Sequence, residues 1–273
     1  IRYAPIWWIR NHRALIMAII LLPPSEGKTP AQAGPKLNLK KLSFPELTSR
    51  REKVLEQLVV LSQGSAVKAI KTLGISTKQT AELELNKSLM KTHCAPAWQI
   101  YTGVLFGALD AGSLSPSQLK KLGASTYIQS ALFGLVGFAD EIPAYRLSGD
   151  CVLPKVGSLV KHWASASTLA LAETNELIID LRSGTYVKLG PIPQNVDAVI
   201  PKVYQKMAKG EPKVVSHHNK ATKGRIVRAL AQSRSHVRTA DDVANIISAL
   251  GADVEIMTKP GKPTEIKVVV AVL

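Results

Sequence analysis

The chain has 273 residues, 46% of them hydrophobic, and carries a formal net charge of +15 from 35 basic and 20 acidic side chains. This composition excludes a disordered or fibrous chain and leaves ample length for a buried core. The basic excess points to an anionic partner: nucleic acid, a phosphorylated small molecule or an anionic membrane surface. With only Cys94 and Cys151, a disulfide framework and a cysteine zinc site are excluded, and reduced thiols are expected.

Residues 1–16, "IRYAPIWWIRNHRALI", contrast with the rest of the chain. They hold two adjacent tryptophans and three arginines with no acid, and no small-residue cleavage site ends them. We expect a non-native or disordered extension over residues 1–16, with translation starting at Met17, and a single domain over residues 17–273. No apolar run approaches the length of a membrane span, so no membrane partner is expected.

"MAIILL" predicts a buried first strand, closed by Pro23 and Pro24, which cannot donate to a ladder. The loop after it contains Gly27-Lys28-Thr29 but is not a P-loop. Leu22 stands where the motif needs its first glycine, and the two prolines supply no N–H to a phosphate. A helix is predicted from Pro45 to Gln63, with Val54, Leu55, Leu58, Val59 and Leu61 at helical spacing. Two shorter helices flank "LGIST". That pair resembles a helix-hairpin-helix, in which Gly74, Ile75, Ser76 and Lys78 would meet a DNA phosphate. The bland reading of Gly74 is a helix C-cap.

Beyond it, "PAWQIYTGVLFGALDAG" predicts a short apolar entry and a glycine-punctuated helix, and "SPSQLKKLG" a serine-capped helix. The run from Thr126 to Leu147 predicts a strand leading into a close-packed loop. "SLVKHWASASTLALAE" predicts a helix, and "ELIIDL", "DAVIPKVYQ" and "PKVVSHH" predict strands. "KATKGRIVRALAQS" and "ADDVANIISALG" read as helices, and "DVEIMTK" and "TEIKVVVAVL" as closing strands. Strands and helices without a clean alternation predict a mixed α/β (α+β) domain with a mixed sheet.

Polar residues gather at element ends. Ser25 and Lys28 follow the first strand, and Tyr101-Thr102-Gly103 opens a helix. Tyr145-Arg146 closes the glycine-containing stretch. Asp180, Arg182, Ser183, Tyr186 and Lys188 follow "ELII", and Lys220, Lys223 and Arg225 stand at a helix start, where cations oppose the dipole. Each has a bland alternative. Arg146 could pair with Asp140 or Asp150, and Lys28 could be a solvated loop lysine whose loss barely changes stability. Histidines and cysteines are not grouped at metal-binding spacings, so no metal site and no cofactor are expected.

These stretches together resemble the YaaA family of peroxide-stress-resistance proteins, from Met17 to about residue 235. "LLPPSEGKT", "YTG", "SALFGLVGFADEIPAYRL", "IDLRSGTYVKL" and "NKATKGRIVRAL" carry the resemblance. The family's patterned residues fall on Ser25 and Lys28, on Tyr101, Thr102 and Gly103, and on Asp140, Tyr145 and Arg146. They continue on Leu181, Ser183, Tyr186 and Lys188, then on Lys220, Lys223 and Gly224. Gly137-Phe138 stand where the family often has Arg-Pro, and Asp180 where it often has asparagine.

The resemblance implies a cytoplasmic protein of hydrogen peroxide resistance that limits free iron and DNA damage. It also implies a basic cleft, a helix-hairpin-helix and duplex DNA as partner. A monomer is expected. The rival expectation is an enzyme that gathers Ser25, Lys28, Tyr101, Arg146, Tyr186 and Lys220 around a nucleotide or other anionic small molecule.

Overall fold

Strand β1 (Ile19–Leu22) is buried on both faces, as a β-branched and leucine run bounded by two prolines requires in a parallel sheet. The computed structural model describes residues 18–207, 211–213 and 216–271. The expected extension over residues 1–16 lies outside them.

After β1 come α1 (Thr48–Gln63), α2 (Ala66–Leu73) and α3 (Ala81–Lys87). A two-residue strand β2 (Ala95–Pro96) precedes α4 (Ala97–Ile100), α5 (Val104–Leu109) and α6 (Pro116–Ser125). The hairpin β3 (Thr126–Ser130) and β4 (Gly134–Gly137) comes next, then short strands β5 (Glu141–Ile142), β6 (Val152–Leu153) and β7 (Gly157–Ser158). Helix α7 (Leu159–Ala172) leads to β8 (Ile178–Asp180), α8 (Thr185–Lys188) and β9 (Ala198–Gln205). Helices α9 (Ser216–Gln232) and α10 (Ala240–Ser248) precede the hairpin β10 (Asp253–Met257) and β11 (Thr264–Val270).

Seven strands form one sheet in the order β10-β11-β9-β8-β1-β3-β4. Its inner pairs are parallel, and β10 and β4 close the two edges antiparallel. Parallel neighbours need crossover connections, which the helices supply. The result is the expected mixed α/β domain with a mixed sheet. Strand β1 lies inside it, Leu22 opposite Ile128 of β3 and Leu21 opposite Asp180 of β8.

The helices form where apolar spacing and caps coincide. Helix α1 buries Val54, Leu55, Leu58 and Leu61. Helix α6 starts at a capping box of Ser115 and Gln118, and α10 at one of Thr239 and Asp242. Helix α9 packs closely on α5. A Cβ at Gly224 would overlap the Leu105 carbonyl oxygen, so only glycine permits this approach.

Two expectations are corrected. The stretch after Thr126 is a hairpin and not a strand leading into a loop. Its turn residues Ala131, Leu132 and Phe133 are fully buried, and Ser130 Oγ accepts the Leu132 and Phe133 N–H groups at 3.1 and 3.0 Å. A buried turn satisfied by a neighbouring hydroxyl shows no polar turn signal. "PKVVSHH" is not a strand either. Lys213 makes one bridge to Gln205, and α9 has begun by Ser216. The apolar face of α9 through Ile226, Val227 and Leu230 holds that helix in the core.

Candidate functional site

The chain leaves β1 toward β3 and later returns on its other side as β8. In open parallel sheets such a reversal leaves a crevice at the carboxyl ends of the strands. The exits of β1, β3 and β8 carry Ser25 and Lys28, Gln129 and Ser130, and Asp180 and Arg182.

The β1 exit loop is stitched to the segment before α5. Thr29 N–H donates to Ile100 O at 2.9 Å, Thr102 N–H donates to Gly27 O at 3.2 Å, and Lys28 bridges Tyr101. Gly103, with φ of +96°, lets the chain pass against Ser25. Ser25 Oγ turns inward on the loop and donates to Gly27 O at 2.5 Å.

This stitching seats Lys28 on aromatic rings. Its Nζ lies 4.2 Å from the centroid of Tyr145 and 5.4 Å from that of Tyr101, and it donates to Ser25 O at 2.9 Å and Glu26 O at 3.4 Å. Lys28 is half-buried, which corrects the solvated-lysine alternative. Desolvation is the main cause that lowers its pKa to about 8. Glu26 raises it and Arg146 lowers it further.

Below the lysine runs a hydroxyl chain. Both acceptor positions of Ser130 Oγ are taken by backbone N–H groups, so its proton goes to Tyr145 Oη at 2.7 Å. Tyr145 and Tyr101 share a hydrogen bond of 2.9 Å between hydroxyls. Burial pushes Tyr101 up to about 12 and Tyr145 well above the ordinary tyrosine value, so both stay protonated donors. The rings are held edge-on by Phe133 against Tyr145 and stacked by Phe106 against Tyr101.

Arg146 completes the cluster. Its Nη1 meets Glu26 Oε2 at 2.8 Å, while its buried Nε has no partner. Asn86 of α3 clamps its backbone, donating to Arg146 O and accepting from Arg146 N, both at 2.8 Å. Ser148 Oγ and Tyr186 Oη each stand 3.5 Å from Glu26 Oε1. The alternative pairing of Arg146 with Asp140 or Asp150 is corrected. Asp140 instead accepts from Ser43 and Gly137 and so ties α1's lead-in to β4.

A second polar cluster lies at the β8 exit. Arg182 grips both oxygens of Asp180 through Nε and Nη2 at 2.8 Å each and reaches Gln129 Oε1 at 3.1 Å. Lys223 of α9 donates to Arg182 O at 3.3 Å. Burial lowers Lys223 to about 8, against the opposing pull of Asp180.

Of the sequence-derived candidates, Ser25, Lys28 and Tyr101 are therefore in direct contact, Thr102 joins them through Gly27 and Arg146 and Tyr186 through Glu26, and Lys223 belongs to the neighbouring cluster. Ser183, Lys188 and Lys220 are exposed, and no direct contact among the described residues links them to either. Sequence reasoning did not single out Glu26, Ser130, Ser148 or Asn86. Tyr145 stands out in the sequence beside Arg146, but its place under Lys28 does not.

The α2–α3 pair is a helix–turn–helix with Gly74 in the left-handed conformation, φ of +61°. Its turn amides are used internally. Gly74 N–H donates to Lys71 O, Ile75 N–H to Ile70 O, and Ser76 N–H to Gln79 Oε1. Lys78 is exposed beside them. Among the described residues no group of three or more His, Cys, Asp or Glu side chains could hold a metal ion, and no helix is long and apolar enough to cross a membrane.

Both cysteines are buried, and burial raises Cys94 to about 11 and pushes Cys151 up as well. The thiolate is the form that peroxide attacks. Hydrogen peroxide added to the folded protein is thus expected to leave both thiols intact, and a thiol reagent to count them only after denaturation. Rapid loss of either thiol in the folded state contradicts this.

The family model for peroxide stress protein YaaA matches residues 17–251. A UPF0246 protein of Corynebacterium efficiens is 46% identical over 242 residues, which is 87% of this chain and 95% of the relative. One from Corynebacterium glutamicum strain R is 43% identical, covering 87% and 94%. One from Streptomyces coelicolor is 38% identical, covering 92% and 98%. This chain belongs to the YaaA (UPF0246) family of peroxide stress proteins.

Proposed function

We propose that the chain serves the peroxide-stress role of its family by binding an anionic small molecule in the crevice at the β1, β3 and β8 exits. One observation carries this reading. A desolvated lysine, Lys28, lies across two buried tyrosine rings, with Arg146 beside it. Duplex DNA, whose backbone is met by solvated lysines and amides, does not require converging buried tyrosines. A small ligand bound in a concave site does use a few placed polar groups on an aromatic wall. In this reading Lys28 and Arg146 neutralise the anion, the Tyr101–Tyr145 hydroxyl pair has one O–H left to donate, and the loop at Ser25 and Thr102 forms the rim. With its pKa lowered to about 8, Lys28 also has a neutral fraction near pH 8 that can take a proton from a bound substrate.

Calorimetric titration of the full chain with inorganic phosphate, succinate and adenosine monophosphate tests the reading. At least one is expected to bind, with Lys28→Met losing that binding. If none binds the parent or its variants, the reading fails.

A second reading, duplex DNA binding, is favoured by the net charge of +15 and the exposed lysines around the Gly74 hairpin. Because the hairpin amides already have partners, such binding would rest on lysine–phosphate contacts. It would then fall about a thousandfold or more between 50 and 200 mM salt. A gel shift on a short duplex showing no complex at 50 mM salt removes it. In either reading any effect of the chain on free iron would be indirect, through the bound molecule or through DNA.

A further inference from the structure

We propose that Glu26 is an internal latch on Arg146, and that the ligand of this site carries a carboxylate that displaces it. The inference rests on the anion-binding reading above and specifies its ligand class and its control.

The structure contains two arginines at strand exits that hold their carboxylates differently. Arg182 holds Asp180 with Nε and Nη2 together, each 2.8 Å from one carboxylate oxygen. That is the paired edge of a guanidinium that matches a planar carboxylate. Arg146 is met by Glu26 at Nη1 alone, 2.8 Å away, and its Nε is buried with no partner. The paired edge of Arg146 is therefore not satisfied by its own carboxylate.

Glu26 makes a poor permanent partner in other ways. Its side chain is 51% exposed, against 14% for that of Arg146. Its second oxygen reaches Ser148 Oγ and Tyr186 Oη only at 3.5 Å, the outer limit of a hydrogen bond. It sits on a loop whose neighbours, Ser25, Gly27 and Lys28, have their own contacts and hold without it.

What Glu26 does show is the kind of group this corner accepts: a planar monoanion between one guanidinium and two neutral hydroxyls. A free carboxylate arriving there can take the place of the Glu26 carboxylate at Nη1 and at the Ser148 and Tyr186 hydroxyls, reach the buried Nε once Glu26 has swung away, and leave Glu26 in solvent. A phosphate dianion would need a second local cation. Lys28, already donating to the Ser25 carbonyl from its seat on the tyrosine rings, adds its charge to that of Arg146 for a monoanion but is not placed to pair directly with a second phosphate charge.

The geometry predicts an exchange, so weakening the latch tightens ligand binding. The test is calorimetric titration of the parent, Glu26→Gln and Arg146→Lys chains with succinate and, separately, with inorganic phosphate at fixed ionic strength. Glu26→Gln keeps the volume at an exposed position, and its melting temperature is measured alongside to show that it folds as the parent does. Succinate is expected to bind Glu26→Gln at least tenfold tighter than the parent, and more tightly than phosphate does. Arg146→Lys should bind it at least tenfold more weakly, because lysine cannot present the paired edge. Equal or weaker succinate binding in Glu26→Gln overturns the latch while leaving anion binding in place. Tighter binding of phosphate than succinate overturns the carboxylate class. Failure of all three chains to bind either probe overturns this inference along with the reading beneath it.

Discussion

Replacing Lys28 by methionine is expected to weaken anion binding sharply and at the same time to raise the melting temperature at neutral pH. The two effects have one cause. The ammonium is partly withdrawn from water against Tyr145 and Tyr101, and burial lowers its pKa to about 8 from the usual 10.5. The folded chain therefore binds this proton less well than the unfolded chain does. Between about pH 8 and 10.5 the unfolded state holds the proton that the folded state has released, so stability rises with pH across that window. Below pH 8 the lysine is charged in both states, and the folded state carries the full cost of its desolvation. Methionine fills the same space on the rings with no charge. Its gain at pH 7 should be about 1 kcal/mol, or about 2–4 °C in Tm for a chain of this size. Lys223, also lowered to about 8, leaves part of the pH-dependent rise in the variant. Above pH 10 the sign reverses, because Tyr101 keeps in the folded state a proton that the unfolded chain has lost. Anion binding should weaken about ten- to a hundredfold, the usual loss of a charge-assisted hydrogen bond. Melting curves from pH 6 to 10 check the first effect, and calorimetry with the anion that binds the parent checks the second. A variant that is less stable than the parent at pH 7 contradicts the desolvation of Lys28.

That outcome also separates what the sequence discloses from what it hides. The strand β1 and its proline stop are readable because a short β-branched run closed by residues without an N–H has few other structures. Helix α1 is readable from its apolar spacing. Lys28, Tyr101 and Arg146 are readable as candidates because polar residues stood at the ends of apolar elements. Their surroundings are not. No local pattern tells a loop lysine in water from one folded back on two tyrosines, since that depends on Thr102 and Gly27, distant in sequence, being hydrogen-bonded at the β1 exit. Nor does proximity in sequence pick the partner of Arg146. Asp140 and Asp150 are nearer in the chain, yet Glu26 meets it, while Asp140 is consumed by Ser43 and Gly137. The β3–β4 turn was hidden for the opposite reason. A buried turn made of Ala131, Leu132 and Phe133 carries the apolar signature of a strand, and its backbone is satisfied by one serine hydroxyl.

Replacing Asp180 by alanine is expected to be the most damaging single change near the site. Its carboxylate takes Arg182 Nε and Nη2 at 2.8 Å each and the Arg182 N–H at 3.0 Å. The two side chains are 2% and 0% exposed, so water cannot replace the lost acid. Removing one partner of a buried pair leaves an uncompensated charge and typically costs about 3–5 kcal/mol. Here the cost is compounded by Lys223, whose ammonium sits on the Arg182 carbonyl and is sustained by the same carboxylate. Without Asp180 both Arg182 and Lys223 lose the carboxylate that offsets their burial, and Lys223 should lose its proton at still lower pH. The expected Tm loss is about 10 °C or more. Asp180→Asn keeps the volume and one acceptor and should cost less, about 1–3 kcal/mol. A double change of Asp180→Leu with Arg182→Met removes both charges and should recover most of the loss, because an apolar pair of similar volume needs no hydration. Thermal and denaturant unfolding of the three variants decide the matter. If Asp180→Ala melts within about 2 °C of the parent, a shift worth under 1 kcal/mol, water reaches Arg182 and the β8 exit is not dry. If the double variant is no better than Asp180→Ala, the loss belongs to packing and not to the stranded charge.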